Sequence, residues 1–361
     1  MPQALARAPQ GAIADAAPLR DFRSPRVDLN GKTVLITGGT GSFGKAFARM
    51  ICEEFQPRKL IVFSRDELKQ YEMAQAFPVE RYPFMRYFIG DVRDAERLRM
   101  ALRSVDYVVH AAALKQVPTA EYNPFECIKT NVMGAENVVN AAIACGVKRV
   151  VALSTDKAAN PINLYGASKL AADKIFCAAE AMAGDSGTAF SVVRYGNVLG
   201  SRGSVAPLFR RLAAEGAADL PITDARMTRF WITLDQGVNF VLSSMEMMRG
   251  SEIFVPKIPS SRTADLASAV APELPHRMVG IRPGEKLHEV MVPEDDARST
   301  VELHDRYVIL PSGHERRRAQ YLDDGGRPVA DGFSYASDRN PEPLDARGLQ
   351  TLLGMAMARE G

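Results

Sequence analysis

The stretch Thr37-Gly38-Gly39-Thr40-Gly41-Ser42-Phe43-Gly44 narrows the possible folds more than any other part of the chain. It follows Lys32-Thr-Val-Leu-Ile36, a short apolar run that reads as a buried strand, and opens a helical pattern at Lys45 (KAFARMICEEF). Glycines at 38, 41 and 44 suit a tight turn, close approach to a pyrophosphate and packing of helix on strand. The helix N-terminus adds free N–H groups and positive dipole. A glycine triplet alone would be weak evidence; between strand and helix in this order it points to dinucleotide binding over a purely structural turn. Thr40, Ser42 and Phe43 join the three glycines as candidate contacts. The expected fold is α/β, a Rossmann-like doubly wound parallel sheet.

The alternation continues. Lys59-Leu-Ile-Val-Phe63 is a second strand ending in Ser64-Arg65-Asp66-Glu67-Leu68-Lys69. A site selective for NAD usually carries an acid there for the ribose hydroxyls. Ser64, Arg65 and Lys69 instead suit a 2′-phosphate, so NADP is the expected cofactor, with a solvated surface arginine as the alternative. Phe88-Ile-Gly-Asp91-Val92 reads as a third strand, Asp91 and Val92 closing the adenine end or forming a simple turn. Asp106-Tyr-Val-Val-His110 is a fourth, leading into Ala111-Ala112-Ala113-Leu114-Lys115, where small side chains admit a flat cofactor. Lys115 is a candidate for a phosphate or sugar. Asn131, also placed in the cofactor set, is expected to open the helix that closes at Gly146.

Arg149-Val-Val-Ala-Leu153 is the next strand, and Ser154-Thr155-Asp156-Lys157 stands at its carboxyl end, where open α/β sheets bind ligands. A helix is expected from Tyr165. Tyr165 and Lys169, four apart, share one helix face. Ionising a phenol near neutral pH costs about 4 kcal/mol. An ammonium about 4 Å away at an effective dielectric of about 20 returns roughly that amount, so Lys169 could turn Tyr165 into a base.

The chain has 361 residues and a net charge of +2 with lysine and arginine interspersed among acids. That argues against a nucleic-acid or membrane surface. No run reaches eighteen apolar residues. Cys52, Cys127, Cys145 and Cys177 are widely spaced, which fits a reduced cytoplasmic compartment and no metal site. Residues 1–28 are expected to be a flexible arm, 29–200 an NADP-binding domain, and 201–361 a smaller mixed α/β substrate domain. That last division rests on the pattern after Ser191-Val-Val-Arg-Tyr195, where short strands and helices, the last near Asp345 to Met357, replace regular alternation.

Thr37 to Gly44, Tyr165-x-x-x-Lys169 and Arg194-Tyr-Gly-Asn-Val198 together resemble an extended short-chain dehydrogenase/reductase acting on nucleotide sugars. Phe63 to Lys69, His110 to Lys115, Ser154 to Pro161 and Asn197-Val-Leu-Gly-Ser-Arg-Gly-Ser204 narrow the likeness to the inverting UDP-N-acetylglucosamine 4,6-dehydratases. The likeness runs from about residue 30 to about 340 and is looser from about Gly313 to Val329. It implies a homo-oligomer, dimer or hexamer, of the short soluble branch, with no membrane anchor, whose product feeds surface sugars such as pseudaminic acid.

The resemblance also implies roles. Tyr165 with Lys169 takes the 4-hydroxyl proton, Lys157 the C5 proton, Asp156 serves the departing hydroxyl, and Thr155 binds the sugar. Retaining sugar dehydratases carry Asp-Glu where this chain has Asp156-Lys157. An amine there is what the likeness links to inversion. A neutral Asp156–Lys157 pair at pH 7 costs together about 9 kcal/mol, which only a dry site would favour. Lys115, Asn197, Val198, Ser201, Arg202, Arg229 and Arg282 are the candidates for UDP-N-acetylglucosamine. A UDP-N-acetylhexosamine 4-epimerase, or a non-catalytic NADP-binding scaffold, are the rival readings.

Overall fold

The computed structural model describes residues 19–201, 203–311 and 313–358. The first half alternates as the sequence predicts. Strands β1 (Thr33–Thr37), β2 (Lys59–Ser64) and β3 (Met85–Ile89) are followed by helices α1 (Ser42–Glu54), α2 (Glu67–Ala76) and α3 (Ala95–Ala101). Then come β4 (Tyr107–His110), α4 (Val117–Tyr122), α5 (Pro124–Ile128), a π-helical turn (Lys129–Met133) and α6 (Gly134–Ala144). After them lie β5 (Arg149–Thr155), α7 (Leu164–Ala183) and β6 (Ala189–Tyr195).

All of β1 is buried, because helices cover both faces of a parallel sheet. The sheet order β3-β2-β1-β4-β5-β6 reverses between β1 and β4, which is where such sheets open a crevice. Register keeps the strand ends level: Thr37 pairs with Phe63 on one side and His110 on the other. Helix α7 starts where Asn163 accepts from the Gly166 N–H at 2.7 Å, an N-cap that stops the helix from running back into the loop.

The second half contains β7 (Asn197–Leu199), α8 (Val205–Ala214), β8 (Leu220–Ile222), β9 (Thr228–Thr233) and α9 (Leu234–Met247). It goes on with β10 (Ile253–Pro256), β11 (Ser260–Arg262), α10 (Thr263–Val270), β12 (His276–Met278) and β13 (Val290–Val292). Last are β14 (Thr300–Glu302), β15 (Arg306–Ile309), α11 (Glu315–Asp323), β16 (Arg327–Pro328), β17 (Tyr335–Ala336) and α12 (Ala346–Met357).

Three expectations need correction. The boundary at residue 200 does not divide the sheet: β10 adds parallel to β6, and β15, β14 and β16 extend it antiparallel. An exposed edge on β6 would leave its backbone groups unpaired, and these later strands cover it. Of the expected arm, residues 1–18 lie outside the described residues, while 19–28 are docked on the body. Phe22 and Val27 are buried, Phe22 packs edge-on against Phe240 at 5.0 Å, and Arg20 grips Glu342 through two bonds of 2.6 Å. Finally, Asn131 does not open a helix but sits within the π-helical turn between α5 and α6.

Among the described residues no helix is long and apolar enough to cross a membrane.

Candidate active site

The carboxyl ends of β1, β2, β4, β5 and β6 line one cleft of about 570 Å³. It collects most of the residues chosen from sequence: Gly38, Thr40, Gly41, Ser42, Phe43 and Gly44 beneath α1, and Ser64, Arg65 and Lys69 at the end of β2. Asp91, Val92, Ala111 and Lys115 line it too, as do Thr155, Lys157, Tyr165, Lys169, Asn197, Val198 and Ser201. Arg202 lies outside the described residues.

The glycine turn fits a dinucleotide. Gly38 has φ +64°, and a Cβ there would come within 2.8 Å of the Ala112 backbone, so the turn can lie this close to the β4 loop only as glycine. Gly41 stands at the N-cap of α1, so the positive end of the helix opens on the cleft. Ser64 is buried against Thr40 and Gln70. Arg65 reaches over the cleft edge, half exposed, 3.7 Å from Asp91. Burial works against the charge on Asp91, but bonds from Arg93 and the Arg65 charge hold its carboxyl below the usual range. Lys69 pairs with Asp66.

Asn131 does not line the cleft. It is buried, bonded to both the N–H and the carbonyl of Leu114 and to Ser168 Oγ. It therefore shapes the Ala111–Lys115 loop from behind. Thr130 beside it lines the cleft with a buried hydroxyl lacking a partner, a residue sequence reasoning passed over.

The candidate acid–base residues meet at the end of β5. Lys157 Nζ stands 3.0 Å from Asp156 Oδ1, 3.4 Å from Glu289 Oε1 and 3.4 Å from Asn197 Oδ1. Burial opposes the Lys157 charge, but the Asp156 and Glu289 carboxylates outweigh it and hold the ammonium above the ordinary lysine range. This setting favours the charged form of Lys157 over the free amine expected for catalysis. Asp156 is fully buried and lies behind the cleft wall; Thr155 Oγ1 donates to its Oδ1 at 2.9 Å. Glu289 has no local signature that would have marked it; it arrives from the segment before β13.

Tyr165 is buried, and burial pushes its phenol up to about 12, with the Lys157 charge and a Thr155 hydrogen bond acting the other way. Lys169 is not the cation that favours the phenolate here. Its ammonium donates to the Leu153 carbonyl at 2.7 Å, and burial holds it below the ordinary lysine range. Reaching the phenolate at pH 7 costs about 7 kcal/mol. A turnover of about 10 per second corresponds to a barrier near 16 kcal/mol, so that cost leaves about 9 kcal/mol for bond changes, and Tyr165 remains a workable base.

Two arginines chosen for the nucleotide lie elsewhere. Arg229 is buried and spends its guanidinium on the carbonyls of Thr228, Leu287 and Lys286, which fastens the Lys286–Glu289 segment to β9. Arg282 is exposed, 3.8 Å from Glu285, outside the cleft lining.

Comparison with known proteins agrees with this arrangement. Residues 34–311 match the family described as polysaccharide biosynthesis protein. The chain is 58% identical to the UDP-N-acetylglucosamine 4,6-dehydratase (inverting) of Campylobacter jejuni over 87% of this chain and 94% of that protein. It is 43% identical to a UDP-glucose 4-epimerase of Rickettsia canadensis, over 89% and 95% of the two chains. The solved structure of Pen from Bacillus thuringiensis superposes with a TM-score of 0.83 at 35% identity, covering 92% of this chain and 99% of that one. The chain is therefore an enzyme of the polysaccharide biosynthesis protein family, in the group of the inverting UDP-N-acetylglucosamine 4,6-dehydratases.

Proposed function

We propose that the chain dehydrates UDP-N-acetylglucosamine with inversion at C5, giving UDP-2-acetamido-2,6-dideoxy-β-L-arabino-hex-4-ulose. The observation that carries this reading is the amine of Lys157 lining the same cleft as Tyr165, with a carboxylate bonded behind it. A 4-epimerase needs the phenol but has no use for that pair.

NADP is the cofactor the cleft suits. Gly38 to Gly44 would hold its pyrophosphate, Ser64, Arg65 and Lys69 the 2′-phosphate, and Asp91 and Val92 the adenine end, with Ala111, Lys115, Tyr165 and Lys169 toward the nicotinamide. When bound, it supplies hydride acceptance from sugar C4 and hydride return to C6. Tyr165 takes the 4-hydroxyl proton, with Thr155 beside the phenolic oxygen. The resulting ketone acidifies C5–H. Lys157, as free amine, removes that proton, and the C5–H electron pair forms the C5–C6 double bond as the C6–O bond breaks. Asp156 lies behind the wall, so its proton reaches the departing hydroxyl through Thr155 Oγ1, and water leaves; once hydride is back on C6, C5 takes a proton of solvent origin on the face opposite to the one Lys157 stripped, which inverts it. Asn197, Val198 and Ser201 line the sugar-nucleotide end. The reading includes a homo-oligomer in the cytoplasm whose product enters surface-sugar synthesis, pseudaminic acid among the candidates.

NMR of the product formed from UDP-N-acetylglucosamine in deuterated water tests this. A C6 methyl signal with deuterium at C5 is expected. UDP-N-acetylgalactosamine as sole product would mean an epimerase, and a protein that binds cofactor without turnover would mean a scaffold.

A further inference from the structure

An ammonium has three N–H donors, and Lys157 Nζ has three oxygens around it, each from a different part of the chain: it donates hydrogen bonds to two and forms an ion pair with the third. Asp156 Oδ1 at 3.0 Å comes from the turn after β5, Asn197 Oδ1 at 3.4 Å from β7, and Glu289 Oε1 at 3.4 Å from the segment before β13. The third is the unexpected one. Glu289 is 1% exposed and leaves its Oε2 buried with no hydrogen bond. Isolated burial of a carboxylate is costly, so this one is retained against a substantial penalty.

The support around Glu289 is rigid. Its N–H donates to Ser337 Oγ at 2.9 Å, and its carbonyl accepts from the Ser337 N–H at 2.8 Å. The neighbouring His288 ring meets Thr228 Oγ1 at 2.8 Å. Arg229 binds the carbonyls of Lys286 and Leu287 and brings its Nε within 3.7 Å of Glu289 Oε1. Lys286 is tied in turn to the Ala159 carbonyl at 2.6 Å. The whole segment is thereby fixed against the turn that carries Lys157.

We propose that Glu289 is a positioning residue for the dehydration, which through its ion pair keeps Lys157 Nζ in place beside Asn197 while the proton facing Asp156 is the one Lys157 gives up to become a base. That proton passes from Nζ to Asp156 Oδ1: the N–H bond breaks, an O–H bond forms, and the nitrogen keeps the electron pair. One transfer therefore arms both the base and the acid of the proposed reaction; the neutral amine then turns about Cε–Nζ so that its lone pair faces the cleft, with an N–H kept on Asn197 Oδ1 and the Glu289 carboxylate beside it. This inference rests on the dehydratase reading. The groups facing Glu289 are Asp156 and Lys157 from the β5 turn, Arg229 from β9 and Lys286 from its own segment, with Arg194 of β6 near Lys286. Burial, then the Asp156 charge, hold the Glu289 carboxyl above the usual range.

The test compares wild type, Glu289→Ala and Glu289→Gln as holoenzymes, following the single-turnover rise of reduced-nicotinamide absorbance for C4 oxidation and product NMR for dehydration. Glu289→Ala should dehydrate about 10- to 100-fold more slowly, as a charged group loses one of its partners, with C4 oxidation and KM within about threefold. Glu289→Gln keeps an Oε1 acceptor and should recover most of the lost rate. Its rate should also rise at lower pH than that of wild type, because one negative charge next to Lys157 has gone. The inference is overturned if Glu289→Ala dehydrates like wild type, if oxidation and dehydration fall together, or if Glu289→Gln restores nothing. A misfolded Glu289→Ala, seen by thermal denaturation, leaves Glu289→Gln and its pH profile to decide. A wild type making no deoxy product overturns the dehydratase reading and this inference with it; an active wild type with any of the contrary variant results overturns this inference alone.

Discussion

Replacing Lys157 by alanine gives a prediction that separates electrostatics from catalysis. In the native arrangement one ammonium serves two buried carboxylates, Asp156 at 0% and Glu289 at 1% exposure, each with one oxygen already unpartnered. Removing one partner of a buried ion pair typically costs about 3–5 kcal/mol, since the remaining charge is left uncompensated. Unfolding entropy of about 2.1 cal/mol/K per residue gives about 0.76 kcal/mol/K for a chain this long, so a loss near 4 kcal/mol lowers Tm by about 5 °C. The deficit should depend on pH. Without Lys157 the folded protein favours a proton on one of the two carboxyls at pH values where the unfolded chain holds both ionised. The folded state then binds more protons, so stability falls as pH rises, by at most about 1.4 kcal/mol per unit. Acidification from pH 8 to pH 5 should recover up to about 4 kcal/mol relative to wild type. Thermal and urea denaturation across that range measure it, alongside cofactor retention, which should survive, and dehydration, which should not. A deficit that is the same at pH 5 and pH 8, or a variant that dehydrates at the wild-type rate, would refute the reasoning.

Other substitutions probe the rest of the cleft. Gly44→Ala would set a Cβ 2.1 Å from the Gly39 carbonyl oxygen; backbone has to move, so dinucleotide binding by calorimetry should weaken at least tenfold. Arg65→Ala should weaken NADP binding about 10- to 100-fold and leave NAD unchanged, as one charge-assisted bond to the 2′-phosphate is lost; equal losses for both would remove Arg65 from that role. His110 is buried on Thr37, and burial, followed by the Lys169 charge, lowers its pKa from 6.5 to about 3. The unfolded chain therefore binds the extra proton between those values, so this contribution is intact above pH 6.5 and is lost on acidification, up to about 5 kcal/mol by pH 3. His110→Gln should flatten that limb of the stability–pH curve.

What was legible in the sequence is what depends on local geometry. The Thr37–Gly44 turn works through backbone conformation, and its neighbours in sequence are its neighbours in space. The four-residue step from Tyr165 to Lys169 was sound as spacing, yet it said nothing of charge: the tertiary fold sends the Lys169 ammonium to the Leu153 carbonyl and gives the phenol Lys157 instead. Arg229 and Arg282 show the limit from the other side. Arginine chemistry suits a diphosphate wherever it occurs, but only packing decides whether a guanidinium faces a cleft, three carbonyls or solvent.

By itself the sequence determined the doubly wound core and the cleft at its strand ends, because strand–turn–helix order suffices for these. Only the tertiary structure docked residues 19–28, continued the sheet through β10 to β16, and brought Glu289 to Lys157. The reason is that desolvation and charge pairing depend on distance through space, and residues far apart along a chain carry no mark of the neighbour that folding will assign them.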